Sequence, residues 1–231
     1  MSKQYLILEF PKHAVKQDAF QLFGHDATLQ SLTLHVTRAL LPSFYQFLQR
    51  GFFFGALVGC NIRALLCEQL GLDEQYVSER VTTVFLNGKP VDDIDSVIVR
   101  EGSVLSLSAA MPGLVGAAMR RGGRYAFLRD SITQQETAAP AESKAGVIQM
   151  RLFNMVMEEL GPSFLEKGII VQTAGLITFF GDQPEEFWGG CKLIALDGIP
   201  LEPARIKDGS ALSGGEWLML SVVASQESHC P

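Results

Sequence analysis

The nine residues Phe85-Leu-Asn-Gly-Lys-Pro-Val-Asp-Asp93 decide how this chain is read. Asn87-Gly88 is the strongest short-range hairpin signal in the sequence, because both turn positions need a positive φ that glycine and asparagine accept. Before it, Val81-Thr-Thr-Val-Phe-Leu86 alternates and is rich in strand formers; after it, Pro90-Val91 opens the return strand. A second turn near Arg100-Glu-Gly102 leads into Val104-Leu-Ser-Leu-Ser108, which places Leu105 and Leu107 on one side of a strand.

Toward the N-terminus, Asn61-Ile-Arg-Ala-Leu-Leu-Cys-Glu-Gln-Leu-Gly71 reads as a helix. Asn61 is a good cap, Ile62, Leu65, Leu66 and Leu70 form one apolar stripe, and Gly71 supplies a left-handed stop. The run 52–59 reads as a buried strand, and 42–50 as a short helix with Pro42 in its first turn and Gly51 after its end. Leu32–Val36 and Tyr5–Phe10 read as further strands.

Toward the C-terminus, residues 129–146 hold one large apolar residue among small and polar ones and read as a linker. Val147–Leu160 carries Val147, Met150, Leu152, Met155, Val156, Met157 and Leu160, which predicts a helix ending at Gly161-Pro162. Gly168–Val171, Leu176–Phe180, Lys192–Leu196 and Glu216–Val223 read as strands. Asp182–Trp188 reads as a short helix with an Asp182/Glu185 capping arrangement. Within this half, Ala195-Leu-Asp-Gly-Ile-Pro-Leu-Glu-Pro203 matches residues 85–93 in type at nearly every position, and each stretch is followed by a glycine and a strand. The Gly88–Gly102 and Gly198–Gly215 spacings are 14 and 17 residues. We read the pair as an internal repeat of a hairpin and its following strand.

Strand, strand, one helix, strand-Asn-Gly-strand and a final strand after a glycine is the order of a β-grasp domain. Phe-Leu-Asn-Gly-Lys-Pro-Val-Asp-Asp-Ile-Asp from Phe85, with Glu-Gly-Ser-Val-Leu-Ser-Leu from Glu101, resembles the ubiquitin-like sulfur carriers. These are the small subunit of molybdopterin synthase and the thiamine-biosynthesis sulfur carrier. The resemblance covers about residues 30–113. It implies an α+β fold: a β-grasp-like domain over 1–128 with an N-terminal extension, a linker at 129–146, and a second small α+β domain over 147–231 with a similar hairpin.

In that family the final strand runs into a Gly-Gly tail whose free carboxylate becomes a thiocarboxylate. Here the position reads Ala109-Ala-Met-Pro-Gly113, and the peptide continues into Leu114. Met119-Arg-Arg-Gly-Gly123 resembles the ubiquitin tail, so carrier chemistry would require cleavage after Gly123. The resemblance therefore speaks for the scaffold more than for its chemistry.

Among the 231 residues, 1–129 carry 13 Lys and Arg against 11 Asp and Glu, and 130–231 carry 6 against 14. The acidic second half disfavours nucleic acid and anionic membrane as partners. The apolar run near the start breaks at Glu9, too early for a signal-peptide core, and no run approaches the roughly 20 residues a spanning helix needs. A cytoplasmic protein is expected. Cys60, Cys67, Cys191 and Cys230 form no close metal-binding or redox pair, and reduced thiols are expected.

The glycine-rich, cationic run Met111–Arg124 is the main site candidate. Met111, Pro112, Gly113, Arg120, Arg121, Gly122, Gly123 and Arg124, with Arg129 nearby, suit a partner's acidic surface or an anion, although the run lacks a phosphate-loop ending. Asp92, Asp93 and Asp95 read as turn caps, and the acids at 182, 185 and 186 as helix-terminus charges. No nucleophile motif, metal set or cofactor site emerges, and the histidines have no motif partner. The expected function is a noncatalytic binding or adaptor module that docks a partner protein. The alternatives are a sulfur carrier processed at Gly123, and a small-ligand protein or enzyme with its site between the domains.

Overall fold

The structure is a computed structural model, described here for residues 29–129, 131–134, 143–212 and 214–225. It is a mixed α/β protein whose chain passes twice through a similar series of elements. The first passage is β1 (Gln30–Thr37), a 3-10 turn (Arg38–Phe44) into α1 (Tyr45–Arg50), β2 (Phe52–Val58), α2 (Ala64–Gln69), α3 (Glu74–Glu79), the hairpin β3 (Thr83–Leu86) and β4 (Lys89–Pro90), and β5 (Val104–Ser108). A helical segment comes next, α4 (Gly113–Met119) and a 3-10 turn (Ala126–Arg129). The second passage is β6 (Lys144–Phe153), α5 (Asn154–Lys167), β7 (Ile169–Gln172), α6 (Thr173–Gly181), α7 (Glu185–Gly189), the hairpin β8 (Cys191–Leu196) and β9 (Ile199–Pro200), α8 (Pro203–Lys207) and β10 (Trp217–Ser225).

The hairpins are the same device. Asn87 and Asp197 both have φ 52°, and Gly88 and Gly198 both have φ 79°. These left-handed pairs are what the Asn-Gly and Asp-Gly dipeptides favour, and they set a two-residue turn. The match extends upstream: Gly51 (φ 113°) and Gly168 (φ 101°) each end a helix directly before a strand.

The chain divides into two compact units that do not coincide with 1–128 and 147–231. Leu48–Gly161 belongs to one, and Ala27–Phe47 with Pro162–Pro231 to the other. The first unit has the strand order β4-β3-β5-β6-β2, the second β7-β10-β1-β8-β9. Each sheet therefore takes one strand from the other passage: β6 joins the first unit and β1 the second. In the first unit β6 runs parallel to β5 with Leu105 beside Met150, and antiparallel to β2 with Phe52 opposite Met150. In the second, β1 runs parallel to β10 with Leu34 beside Val222, and antiparallel to β8 with Leu34 opposite Ile194. Glu101–Ser103 help seat β6: Glu101 Oε1 accepts from Val147 N at 3.1 Å, and Gly102 N donates to the Val147 carbonyl at 2.9 Å.

In the first unit, Asn61 Oδ1 accepts from Ala64 N at 2.8 Å, so the cap read from sequence forms. Ile62, Leu65, Leu66 and Leu70 are all buried. Burying each such side chain contributes about 2 kcal/mol relative to exposure. The Leu70 N to Leu65 O bond at 3.0 Å is a wide π-type turn that lets the stripe reach Leu70 before Gly71 (φ 66°) ends it. In the second unit the core is aromatic. Phe179 meets Phe44 and Phe47 at 5.2 Å each and Phe180 at 5.0 Å, and Phe187 meets Trp188 at 5.3 Å, the tilted and edge-on spacings rings prefer.

Several sequence expectations need correction. The helix expected over 147–160 is strand β6 up to Phe153. Val147, Ile148, Met150 and Leu152 are buried with Gln149 and Arg151 between them, and the chain turns into α5 at Asn154 (φ 54°). Pro162 does not end α5 but lies inside it. The strand expected at 176–180 belongs to helix α6, because Leu176, Phe179 and Phe180 at positions i, i+3 and i+4 all reach the core and override their strand propensity. Asp182 caps the end of α6, and Pro184, not Asp182, precedes α7. The stretch 129–146 is not a uniform linker: Arg129 is buried and β6 begins at Lys144. The Tyr5–Phe10 strand lies outside the described residues.

Candidate partner-binding site

Met111, Pro112, Gly113, Arg120, Arg121, Gly122, Gly123 and Arg124 all belong to the helical segment that comes after β5 in the first unit. Pro112 (φ −72°, ψ 157°) caps α4 from an extended conformation, and Gly113 (φ 79°) opens it. Gly116 is buried, and a Cβ there would collide with the backbone of Met111, so the helix lies close on the strand exit. Arg121 N then donates to the Thr82 carbonyl at 2.8 Å, tying the segment to the start of β3.

An ion pair built on a buried arginine locks the far side. Arg129 is only 2% exposed. Its Nη1 and Nη2 donate to the two Asp92 carboxylate oxygens at 2.9 and 2.7 Å, and its Nε donates to the Ala118 carbonyl at 2.6 Å. Asp92 Oδ1 also accepts from Gly122 N at 3.0 Å. Burial works against the Asp92 charge, but the Arg129 hydrogen bonds and the Gly122 amide outweigh it and hold the carboxyl below its usual range. Asp92 thus serves the fold, and Arg129 is a strut rather than a free cation. Asp95 likewise pairs with Arg63. Among the described residues no group of histidines, cysteines and acids is placed to hold a metal ion.

The lock leaves a concavity of about 540 Å³. Met111, Arg120, Arg121, Gly122, Gly123 and Arg124 line it together with Ala110, Gly116, Ala117 and Tyr125; Pro112 and Gly113 stand outside the lining. Arg120 and Arg124 are exposed and their side chains form no ion pair or hydrogen bond among the described residues. Arg121 is half-buried: one terminal nitrogen donates to the Val77 carbonyl at 3.1 Å, and the other, Nη1, is buried without a partner. Burial, reinforced by Arg63, pushes this guanidinium down from its ordinary value. The glycine amides are already engaged, Gly122 by Asp92 and Gly123 by the Arg120 carbonyl at 3.1 Å. Gly122-Gly123 is therefore a pinned turn rather than a tail.

Sequence reasoning missed the exposed apolar side chains of the same segment. Of the ten exposed large apolar side chains among the described residues, six fall within 114–132: Leu114, Val115, Tyr125, Phe127, Leu128 and Ile132. Leu114, Val115, Phe127 and Leu128 are 67, 70, 64 and 57% exposed. The signal was available, since Leu114-Val115 and Phe127-Leu128 are apolar pairs with no helical stripe to bury both members. Among the described residues, burial pushes the Cys60, Cys67 and Cys191 thiols up, Cys191 to about 11, and a protonated thiol is a poor nucleophile.

No protein-family model matches the chain, and no curated protein or solved structure is similar enough to count as a match. Among the described residues no helix is long and apolar enough to cross a membrane.

Proposed function

We propose that the protein is a noncatalytic, cytoplasmic binding module, and that the face formed by residues 111–132 docks a partner protein. One observation carries this: six large apolar side chains are exposed along a single segment that has no counterpart among the described elements of the second passage. Scattered surface apolar residues are ordinary, but a concentrated patch beside charged residues marks an interaction surface. Aromatic and arginine side chains are also the types that dominate binding energy at interfaces. On this reading the first unit is a β-grasp-like scaffold. Its support is the capped helix before the Asn-Gly hairpin and the strand β5 after it. Its departure is that β6 stands where the family order places an earlier strand.

Replacing Phe127 and Leu128 by serine tests the proposal. Both are exposed, so the folded state should be kept, with Tm unchanged within a few degrees. Native mass spectrometry of the tagged protein isolated from its own cells should show one stoichiometric partner that the double variant loses. An identical partner profile for the two proteins contradicts the proposal.

A further inference from the structure

We infer that the partner engages this face through an acidic segment, setting one or more carboxylates between Arg120 and Arg124 while its neighbouring apolar residues cover Phe127 and Leu128. The inference rests on the docking reading and adds the chemistry of what docks. Charge complementarity supports it. Arg120 and Arg124 line the concavity, are exposed, and have no anionic partner among the described residues. Of the acids whose charge reaches Arg121, Asp92 pairs with Arg129 and Asp95 with Arg63, while Asp93 forms no ion pair with Arg120 or Arg124 among the described residues. The buried, unpartnered Nη1 of Arg121 leaves a third guanidinium donor short of an acceptor.

The same geometry lacks the free backbone amides on which a phosphate cradle is built. Phosphate cradles draw on backbone amides, and here the Gly122 and Gly123 amides already donate within the protein. What remains are guanidinium forks, which match planar carboxylates with paired hydrogen bonds. The exposed apolar residues of the same segment reward a partner in which acids alternate with large apolar residues rather than a uniformly charged one.

Selection of displayed random peptides on the intact chain, followed by titration of the selected peptides, tests the inference. The expected peptides place Asp or Glu next to Leu, Phe or Trp. Changing their acids to amides should weaken binding about tenfold or more, and Arg120→Glu with Arg124→Glu should do the same from the protein side. The amide peptides keep the test valid should the charge-reversed protein fold poorly. Selected peptides without acids, or equal binding to both proteins, overturn the inference. If binding is then still lost in Phe127→Ser/Leu128→Ser, docking at this face stands and only its charge chemistry falls. If that variant also binds equally, or no peptide is selected, both fall. Flotation with phosphatidylserine vesicles that depends on Phe127, without peptide binding, would identify a bilayer surface and overturn the inference as well.

Discussion

Asn87-Gly88 and Asp197-Gly198 make one turn twice, and each turn residue grips the neighbouring strand in the same way. Asn87 Oδ1 accepts from Val104 N at 2.8 Å and Asp197 Oδ1 from Ser31 N at 2.8 Å, while Asn87 N and Asp197 N donate back to the same two residues at 2.8 Å each. What differs is whose strand is gripped. In the first unit it is β5, next along the chain; in the second it is β1, from the far end of the sequence. The hairpin dictates a seat and its direction but not its occupant. β5 also leads into the arginine-bearing segment 111–132, which has no counterpart among the described elements of the second passage.

The largest effect should come from withholding the exchanged strand. A fragment spanning 143–231 lacks β1, and the second unit then loses the strand between β10 and β8. It should remain unfolded by amide NMR dispersion alone and fold when 1–142 is coexpressed. A well-dispersed spectrum from the fragment alone would show that the second hairpin can hold its sheet without a distant strand. Next, Asp92→Ala leaves the buried Arg129 uncompensated and should cost about 3 kcal/mol in urea denaturation. Because Asp92 titrates below its ordinary value of 3.8, its contribution is present above that pH and is lost as pH falls through the depressed value. Acid unfolding of the wild type should therefore have a component below about pH 4 that Asp92→Ala lacks. The smallest effect concerns the likeness of the two turns. A Cβ at Gly88 or Gly198 meets nothing within 4 Å, so Gly→Ala at either position costs only backbone strain, about 1 kcal/mol. Equal losses in thermal denaturation are expected of one device used twice, and unequal losses would separate them.

What was legible in the sequence was local. Asn87-Gly88, Asp197-Gly198, the Asn61 cap and the 62–70 stripe involve residues a few positions apart whose backbone preferences agree with their burial. The misread elements are those where tertiary packing decided: β6, whose Met150 and Leu152 suit a helix as well as a strand, and α6, whose β-branched and aromatic residues favour a strand until the Phe44 and Phe47 rings give them a core. Strand exchange leaves no local mark, since Leu32–Val36 reads as a strand whichever sheet it joins. Within the site, the arginine and glycine residues were visible by composition. The division of labour among them was not, because the Asp92–Arg129 lock spans 37 residues and separates a structural arginine from its exposed neighbours.

If segment 111–132, and not the repeated scaffold, meets the partner, the two parts of the surface should behave differently in cells. A photocrosslinking residue placed at Phe127 or at Ile199, two comparably exposed positions at 64 and 67%, separates them. The probe at 127 should give one discrete adduct and the probe at 199 none. Adducts of equal yield at both positions, or an adduct at 199 alone, would contradict docking through the segment.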